Sequence, residues 1–226
     1  MIRLDKYLSN LGLISRRTAD KIFKSAEILV NGEQAKKSDQ KIAYGDVITF
    51  DGVEIDVLEN VYCILYKTAG YISSDEDEDG YLSYRNQMPD CPYVEMLHVA
   101  GRLDQDTEGL LLLSNDGQFI HQVISPKRDK EKEYEVHLAK PISDKDLGQL
   151  ERGVVLDDGY KTLPAKTSRL DTNKKISLII TEGKFHQVKR MLEAVQNKVI
   201  YLKRTRIGDR TIDDLQPGEW KYIEKE

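Results

Sequence analysis

Along the first thirty residues, apolar side chains recur every three or four positions. Leu4, Tyr7, Leu8 and Leu11 form one stripe, and Ala19, Ile22, Phe23 and Ala26 form a second. This is the period of an amphipathic helix. Gly12 marks the stop of the first helix, and Ser15 supplies the hydroxyl of an N-cap for the second. The pattern then shortens. Ile28, Leu29 and Val30 precede Asn31-Gly32, with Glu33, Gln34 and Ala35 after it. Val47, Ile48, Thr49 and Phe50 precede Asp51-Gly52, with Val53, Glu54 and Ile55 after it. Asn-Gly and Asp-Gly between short strands predict two tight hairpins. The expectation is a small module of two helices followed by short strands, ending near Glu59.

Residues 61–66 are an unbroken apolar run and predict a buried strand, followed by Lys67-Thr68-Ala69-Gly70-Tyr71. Between His98 and Gly117, two apolar segments flank a polar loop that carries Arg102, Asp104, Asp106 and Glu108. Asn115-Asp116-Gly117 reads as a turn, and Phe119, Ile120, Val123 and Ile124 as a short helix. Residues 133–138 alternate strictly, which sets Tyr134 on one strand face with Val136 and Leu138. Ser143, with Asp146 three residues on, caps a helix striped by Leu147 and Leu150 and ended by Gly153. Ile176, Leu178 and Ile180 alternate as a strand. Residues 182–187 form a turn into a helix with Val188, Met191, Leu192 and Val195 at helical spacing. Strands and helices mix without a βαβ rhythm, so the fold class is α+β.

The 226 residues allow one large domain, or a small module and a larger one. With 39% hydrophobic and 32% charged residues the chain has enough apolar content to build a core. The net charge of −5 argues against a surface basic throughout. Its distribution changes that picture. Residues 1–41 hold nine Lys and Arg against five Asp and Glu, and residues 182–210 hold eight against three. Such a chain presents selected faces to a polyanion. In the first region Arg16, Arg17 and Lys21 are expected in the opening turns of the second helix, where backbone N–H groups also favour an anion. Five contiguous acids, residues 75–79, read as a solvated loop with no assigned role.

Cys63 and Cys91 fit neither a zinc site nor a disulfide framework, which points to a reducing cytoplasm. The N-terminus is too polar for a signal peptide, and no apolar run approaches the roughly 18 residues of a membrane helix. The signatures of phosphate-binding loops, dinucleotide folds, zinc hydrolases and serine hydrolases are absent from the sequence. His98, His121, His137 and His186 are scattered and suggest no metal site. Two carboxylates at 104 and 106 suit either a general acid–base pair or an ordinary turn with a solvated acid.

Longer motifs narrow the choice. The stretch RLDKYLSNLGLISRRTADKIF, with ILVNGE after it, resembles the S4 RNA-binding domain. GRLDQDTEGLLLLSNDG (residues 101–117), EKEYEV (131–136) and EGKFHQVKRM (182–191) resemble, in the same order, the three signatures of the RsuA-type pseudouridine synthases. The third motif and the compact length look closest to the members that act on 16S rRNA. The resemblance implies residues 1–59 as an S4-like α/β RNA-binding module. It implies residues 60–226 as a catalytic domain built on a mixed, largely antiparallel sheet with flanking helices. It implies an RNA isomerase that needs no cofactor and no metal, acts as a monomer in the cytoplasm away from membranes, and takes rRNA, naked or in a small-subunit assembly intermediate.

The family also implies roles. Asp104 is the catalytic carboxylate, as nucleophile or as base at the sugar. Lys189, with Arg190 as the neighbouring candidate, supplies the cation that favours its charged form. Tyr134 stacks on the base, Arg102 fills the gap left by the departing uridine, and Leu202 packs near the site. Each also has an ordinary reading, as core aromatic, surface ion pair or core packing. Arg3, Lys6, Arg16, Arg17 and Lys21 are the expected RNA-backbone contacts. Two departures stand out: Lys67-Thr68-Ala69-Gly70 where the family often has Lys-Pro-x-Gly, and Gln196-Asn197 where it has Gly-Asn. A 23S rRNA synthase of the same family and a non-catalytic S4-type RNA-binding protein remain as alternatives.

Overall fold

A computed structural model of the chain describes residues 1–125, 130–212 and 214–225. The N-terminal part comprises β1 (Ile2–Arg3), α1 (Leu4–Asn10), α2 (Ala19–Ile22), β2 (Ile28–Val30), β3 (Glu33–Gln34), β4 (Lys41–Ile42), β5 (Val47–Phe50) and β6 (Val53–Asp56). Four strands form a sheet in the order β3-β2-β5-β6, and β1 pairs with β4. Both hairpins form as two-residue turns. Val30 pairs with Glu33, and Asn31 and Gly32 have φ of 52° and 81°, the double positive twist that matches the flanking strands. The apolar stripe of α1 is buried, and the hydroxyl of Tyr7 accepts a 2.8 Å hydrogen bond from the Leu58 amide.

The second helix is shorter than its apolar spacing predicts. Ser15 Oγ accepts from the Thr18 amide at 3.2 Å and lies 2.7 Å from Thr18 Oγ1. These bonds close a separate turn over residues 15–18. Arg16 and Arg17 therefore lie in that turn ahead of α2, not in its first turns, and only Lys21 is helical. The expected reinforcement of these arginines by helix N–H groups is absent.

The remainder comprises β7 (Tyr62–Lys67), β8 (His98–Val99), β9 (Glu108–Ser114), α3 (Gly117–Ile124), β10 (Lys132–Leu138), α4 (Asp144–Arg152), β11 (Lys166–Arg169), β12 (Lys175–Ile180), α5 (Gln187–Ala194), β13 (Val199–Ile207), β14 (Arg210–Thr211) and β15 (Trp220–Tyr222). Among the described residues these strands form one sheet in the order β11-β12-β10-β13-β9-β7-β15, with β14 beside β13 and β8 beside β9. All pairings are antiparallel except β9 with β13. The fold is α+β, as the pattern predicted, with the mixed, largely antiparallel sheet that the resemblance implied.

The unbroken apolar runs have a simple cause. In β7 and β9 both faces are covered, so alternation disappears. Tyr62, Ile64, Leu110 and Leu112 pack with Phe119 and Val123 of α3. Cys63, Leu65, Leu111 and Leu113 face the larger core, which continues into Leu4, Tyr7 and Leu8 of the N-terminal helix. The N-terminal part is thus joined to the large sheet by apolar contact. Polar contact adds to it, since Tyr93 Oη donates to the Asp56 carbonyl at 3.0 Å.

Caps close the helices of this part. Asp116 Oδ1 accepts from the Gln118 and Phe119 amides, and Ser143 with Asp146 makes a reciprocal capping box. The acidic run is not a free loop: Asp75 holds His98 at 2.6 Å, and Asp77 accepts from the Ser83 amide at 2.7 Å. The first departure from the family motifs has a local compensation. Thr68 stands where a proline is common, and its amide and hydroxyl both donate to Gln87 Oε1 at 3.0 Å. Hydrogen bonds there do the restricting that a ring would do.

Gln196, the second departure, has no such relief. It terminates α5 at φ 58°, its amide donating to the Glu193 carbonyl and that of Asn197 to the Leu192 carbonyl. This is a left-handed cap in which a glycine avoids the steric cost of a Cβ. Gln196→Gly is therefore expected to stabilise the protein by about 0.5–1 kcal/mol, read as a higher urea midpoint at unchanged slope. An unchanged or lower midpoint would contradict the strain assigned to this cap.

Candidate active site

A cavity of about 350 Å³ opens between the loop from β8 to β9, strands β10 and β13, and the turn that leads into α5. Asp104, Arg102, Tyr134, Leu202 and Lys189 all line it. Five residues spread over a hundred positions thus converge. The sheet order explains this. Tyr134 and Val136 of β10 pair with Arg204 and Leu202 of β13, so Tyr134 and Leu202 lie on the same inner face. β13 in turn lies beside β9, at whose N-terminal end the carboxylate loop is attached.

The parallel seam between β9 and β13 is unusually close. Gly109 has φ 108°, and a Cβ there would sit 2.2 Å from the Arg204 carbonyl oxygen. Only glycine allows the two backbones this approach. Arg204 itself is buried to 1% exposure. Its Nε donates to the Leu110 carbonyl at 2.9 Å, its Nη1 to the Arg102 carbonyl at 3.1 Å and its Nη2 to the Gly101 carbonyl at 2.9 Å. Ser73 Oγ completes the clamp by accepting from the Leu103 amide and donating to the Leu103 carbonyl. The Gly70 amide donates to the Gln105 carbonyl at 2.9 Å. The backbone under Asp104 is therefore held from both sides.

Lys189 Nζ lies 2.8 Å from Asp104 Oδ2 and 2.6 Å from Asp106 Oδ1. Burial by itself would lower the Lys189 pKa, but its bonds to the two carboxylates prevail and raise it. For Asp106, desolvation is outweighed by the same lysine and the pKa falls below the usual carboxylate range. His186 Nε2 is 3.6 Å from Asp104 Oδ1, a proximity the scattered histidines did not signal. Among the described residues no group of three or more His, Cys, Asp and Glu is placed to hold a metal.

Arg190 departs from its expected place beside Asp104. It ion-pairs with Asp157 at 2.5 Å and Asp158 at 2.7 Å. At i+1 on a helix it points about 100° away from Lys189, so both cannot serve one carboxylate. Arg102 is exposed at the cavity lip, with no ion pair among the described residues. Tyr134 and Leu202 are buried, at once core and cavity wall. Glu182 shapes the turn before α5: its carboxylate accepts from Tyr160 Oη, the Leu163 amide and Gln187 Nε2.

Arg3, Lys6, Arg16, Arg17 and Lys21 are exposed on the N-terminal part. Arg3 is partly neutralised by Asp5 at 2.7 Å. Arg3 and Arg16 line an open groove with Lys24, Lys36 and Lys37. Lys6, Arg17 and Lys21 lie outside it.

Lys67 is a residue that periodicity conceals, because its position completes an apolar strand. It is fully buried, and among the described residues its ammonium bonds only to the Thr68 and Tyr71 carbonyls. Burial lowers its pKa to about 8, partly countered by Asp106, Asp104 and Glu108. Above pH 8 the folded chain releases this proton while the unfolded chain keeps it until about pH 10.4. Stability therefore rises with pH across that window. Between pH 7.5 and 9.5, urea unfolding of the wild type is expected to gain about 1–2 kcal/mol more than that of Lys67→Met. Equal gains would show that Lys67 stays charged throughout.

Comparison with known proteins agrees with the motifs. A family model described as RNA pseudouridylate synthase matches residues 61–194, and one described as S4 domain matches residues 2–48. The chain is 42% identical to a ribosomal small subunit pseudouridine synthase A of Vibrio parahaemolyticus, covering 100% of this chain and 97% of that one. It is 41% identical to an uncharacterized RNA pseudouridine synthase, YtzG, of Bacillus subtilis, covering 100% and 96%. A crystal structure of a pseudouridylate synthase superimposes with a TM-score of 0.69 at 38% identity, over 99% of this chain and 96% of that one. The chain belongs to the RNA pseudouridylate synthase family and carries an S4 domain ahead of the synthase domain.

Proposed function

We propose that this chain isomerises one uridine of 16S rRNA to pseudouridine, with Asp104 as its catalytic carboxylate. The observation that carries the reading is the Asp104–Lys189 pair at 2.8 Å, facing a cavity walled by Tyr134 and Leu202. In the reaction the N1–C1′ bond breaks, the uracil turns within the cavity, and C5 bonds to C1′. A proton leaves C5 and one arrives at N1, so the nucleotide keeps its composition. The step is redox-neutral and releases no group, and the reading assigns it no metal and no cofactor.

Each side chain then has a task. Asp104 acts at the sugar as nucleophile or base, and Lys189 pairs with it at 2.8 Å. The ring of Tyr134 stacks on the uracil, and its hydroxyl assists proton transfer. Arg102, exposed at the lip, takes the place of the uridine that has left the stack. Residues 60–226 do this chemistry, while residues 1–59 hold the RNA backbone through Arg3, Lys6, Arg16, Arg17 and Lys21. The choice of 16S rRNA is supported by relatives named for the ribosomal small subunit, at 42% and 40% identity over the full chain. A monomer acting in the cytoplasm, on free rRNA or an assembly intermediate, fits this reading. Among the described residues no helix is long and apolar enough to cross a membrane.

In cells lacking the protein, one 16S uridine is expected to stay unmodified; a missing 23S pseudouridine would instead favour the large-subunit alternative. Asp104→Asn keeps the shape but cannot act as an anion. It should fold, bind rRNA within a few-fold of wild type and form no pseudouridine in single-turnover assays. Asp106→Asn should be milder. Turnover by well-folded Asp104→Asn, free of deamidation, would remove the central assignment.

Replacing Arg16 and Arg17 together by alanine tests the RNA face. Affinity should fall, and the slope of log affinity against log salt should flatten by up to about two, one for each phosphate left without its arginine. An unchanged slope would place the RNA elsewhere.

A further inference from the structure

Phe185 is the most exposed large aromatic side chain among the described residues, at 75%. It is not loose. Its carbonyl accepts from Arg190 Nη1 at 3.3 Å, and the Lys184 amide before it donates to Gln187 Oε1 at 2.8 Å. Its ring lies flat on the imidazole of His186, with centroids 3.7 Å apart and planes at 19°. His186 holds a left-handed backbone, φ 49°, at the entry to α5. That conformation turns the chain so that adjacent side chains lie face to face. His186 lines the cavity and reaches Asp104, so the stack begins at the catalytic carboxylate and ends in solvent.

A phenyl ring kept in water by a braced turn contributes nothing to the core. One of its faces is covered by imidazole and the other is open. Open aromatic faces beside cationic grooves bind unpaired bases by stacking, because every base offers a π-face. Lys184 precedes the stack, and Lys184 and Arg102 both line the cavity. Contacts to the nucleotides that flank an extruded base help set which site an enzyme acts on.

We propose that the Phe185–His186 stack is a subsite for a nucleobase next to the target uridine, distinct from the Tyr134 wall that faces the target itself. This rests on the uridine-isomerase reading above. Once a base is seated on Phe185, the strand is anchored beside the carboxylate, and discrimination among uridines depends in part on the nucleotide at that position.

The test uses the full chain in the Asp104→Asn background, so that binding is measured without turnover. The probe is a fragment of the rRNA that contains the uridine mapped for the wild type. Phe185→Ala should weaken binding roughly tenfold, and Phe185→Tyr less than about twofold. With an abasic nucleotide in place of the neighbouring base on one side, the tenfold difference between Phe and Ala should vanish. With Asp104 present, the urea midpoint of Phe185→Ala should not move, and its loss of single-turnover rate should be greatest at subsaturating RNA. Unchanged affinity of Phe185→Ala overturns the proposal. So does an equal loss on both abasic fragments and the intact one. Failure of the wild type to modify any rRNA uridine would instead overturn the reading beneath it, and the proposal with it.

Discussion

The site depends on one close contact, the parallel seam where Gly109 of β9 passes Arg204 of β13. The missing side chain at 109 lets the backbones meet, and the guanidinium beyond the seam reaches three carbonyls of the loop and strand. Among the described residues no carboxylate lies at ion-pair distance from this guanidinium; burying it is costly, and the planar fork of donors offsets that cost only if the acceptors are fixed. The arrangement is therefore self-consistent in one geometry alone. Moving the loop would strand a buried charge, and moving Arg204 would leave carbonyls at 101, 102 and 110 unpaired. Asp104 inherits its position from this mutual constraint.

Electrostatics at the site follow from the same packing. Asp104, Asp106 and Glu108 lie on successive alternate positions of a loop running into a strand, and alone they would repel. Three cations are distributed against them. Lys189 makes direct bonds, while Lys67 and Arg204 lie behind the loop on strands that flank β9 and bond to backbone carbonyls. The carboxylate is thus held by a cation in front and buried positive charge behind. The exposed face of the cavity is left for a polyanion that brings its own negative charge. The basic groove of the N-terminal part extends the same logic to a second surface of the chain.

The local pattern of apolar and polar residues determined most of the elements. α1, both hairpins, β7, β9, β10, α3, α4, β12 and α5 follow from period, caps and turn residues, because those signals act over a few bonds. The motifs in order determined the family, and they singled out Asp104 and Lys189, which the structure brings to 2.8 Å of each other. Sequence spacing failed at α2, where Ser15 and Thr18 bond to each other and close a turn that shortens the helix. It also failed at Arg190, one position from Lys189 but turned toward Asp157 and Asp158.

What tertiary structure alone decided is which distant groups meet. Lys67 is read as the end of a strand, yet burial beside the carboxylate loop makes it a titrating group. Arg204 reads as one of eight basic residues in a stretch suited to RNA, yet it is 1% exposed and bonds to carbonyls about a hundred positions earlier. His186 is near Asp104 only because the turn into α5 is brought against the carboxylate loop. Periodicity reports how a segment contacts its own surroundings. It carries no information on the strand order that sets β13 between β10 and β9, and that order is what assembles the site.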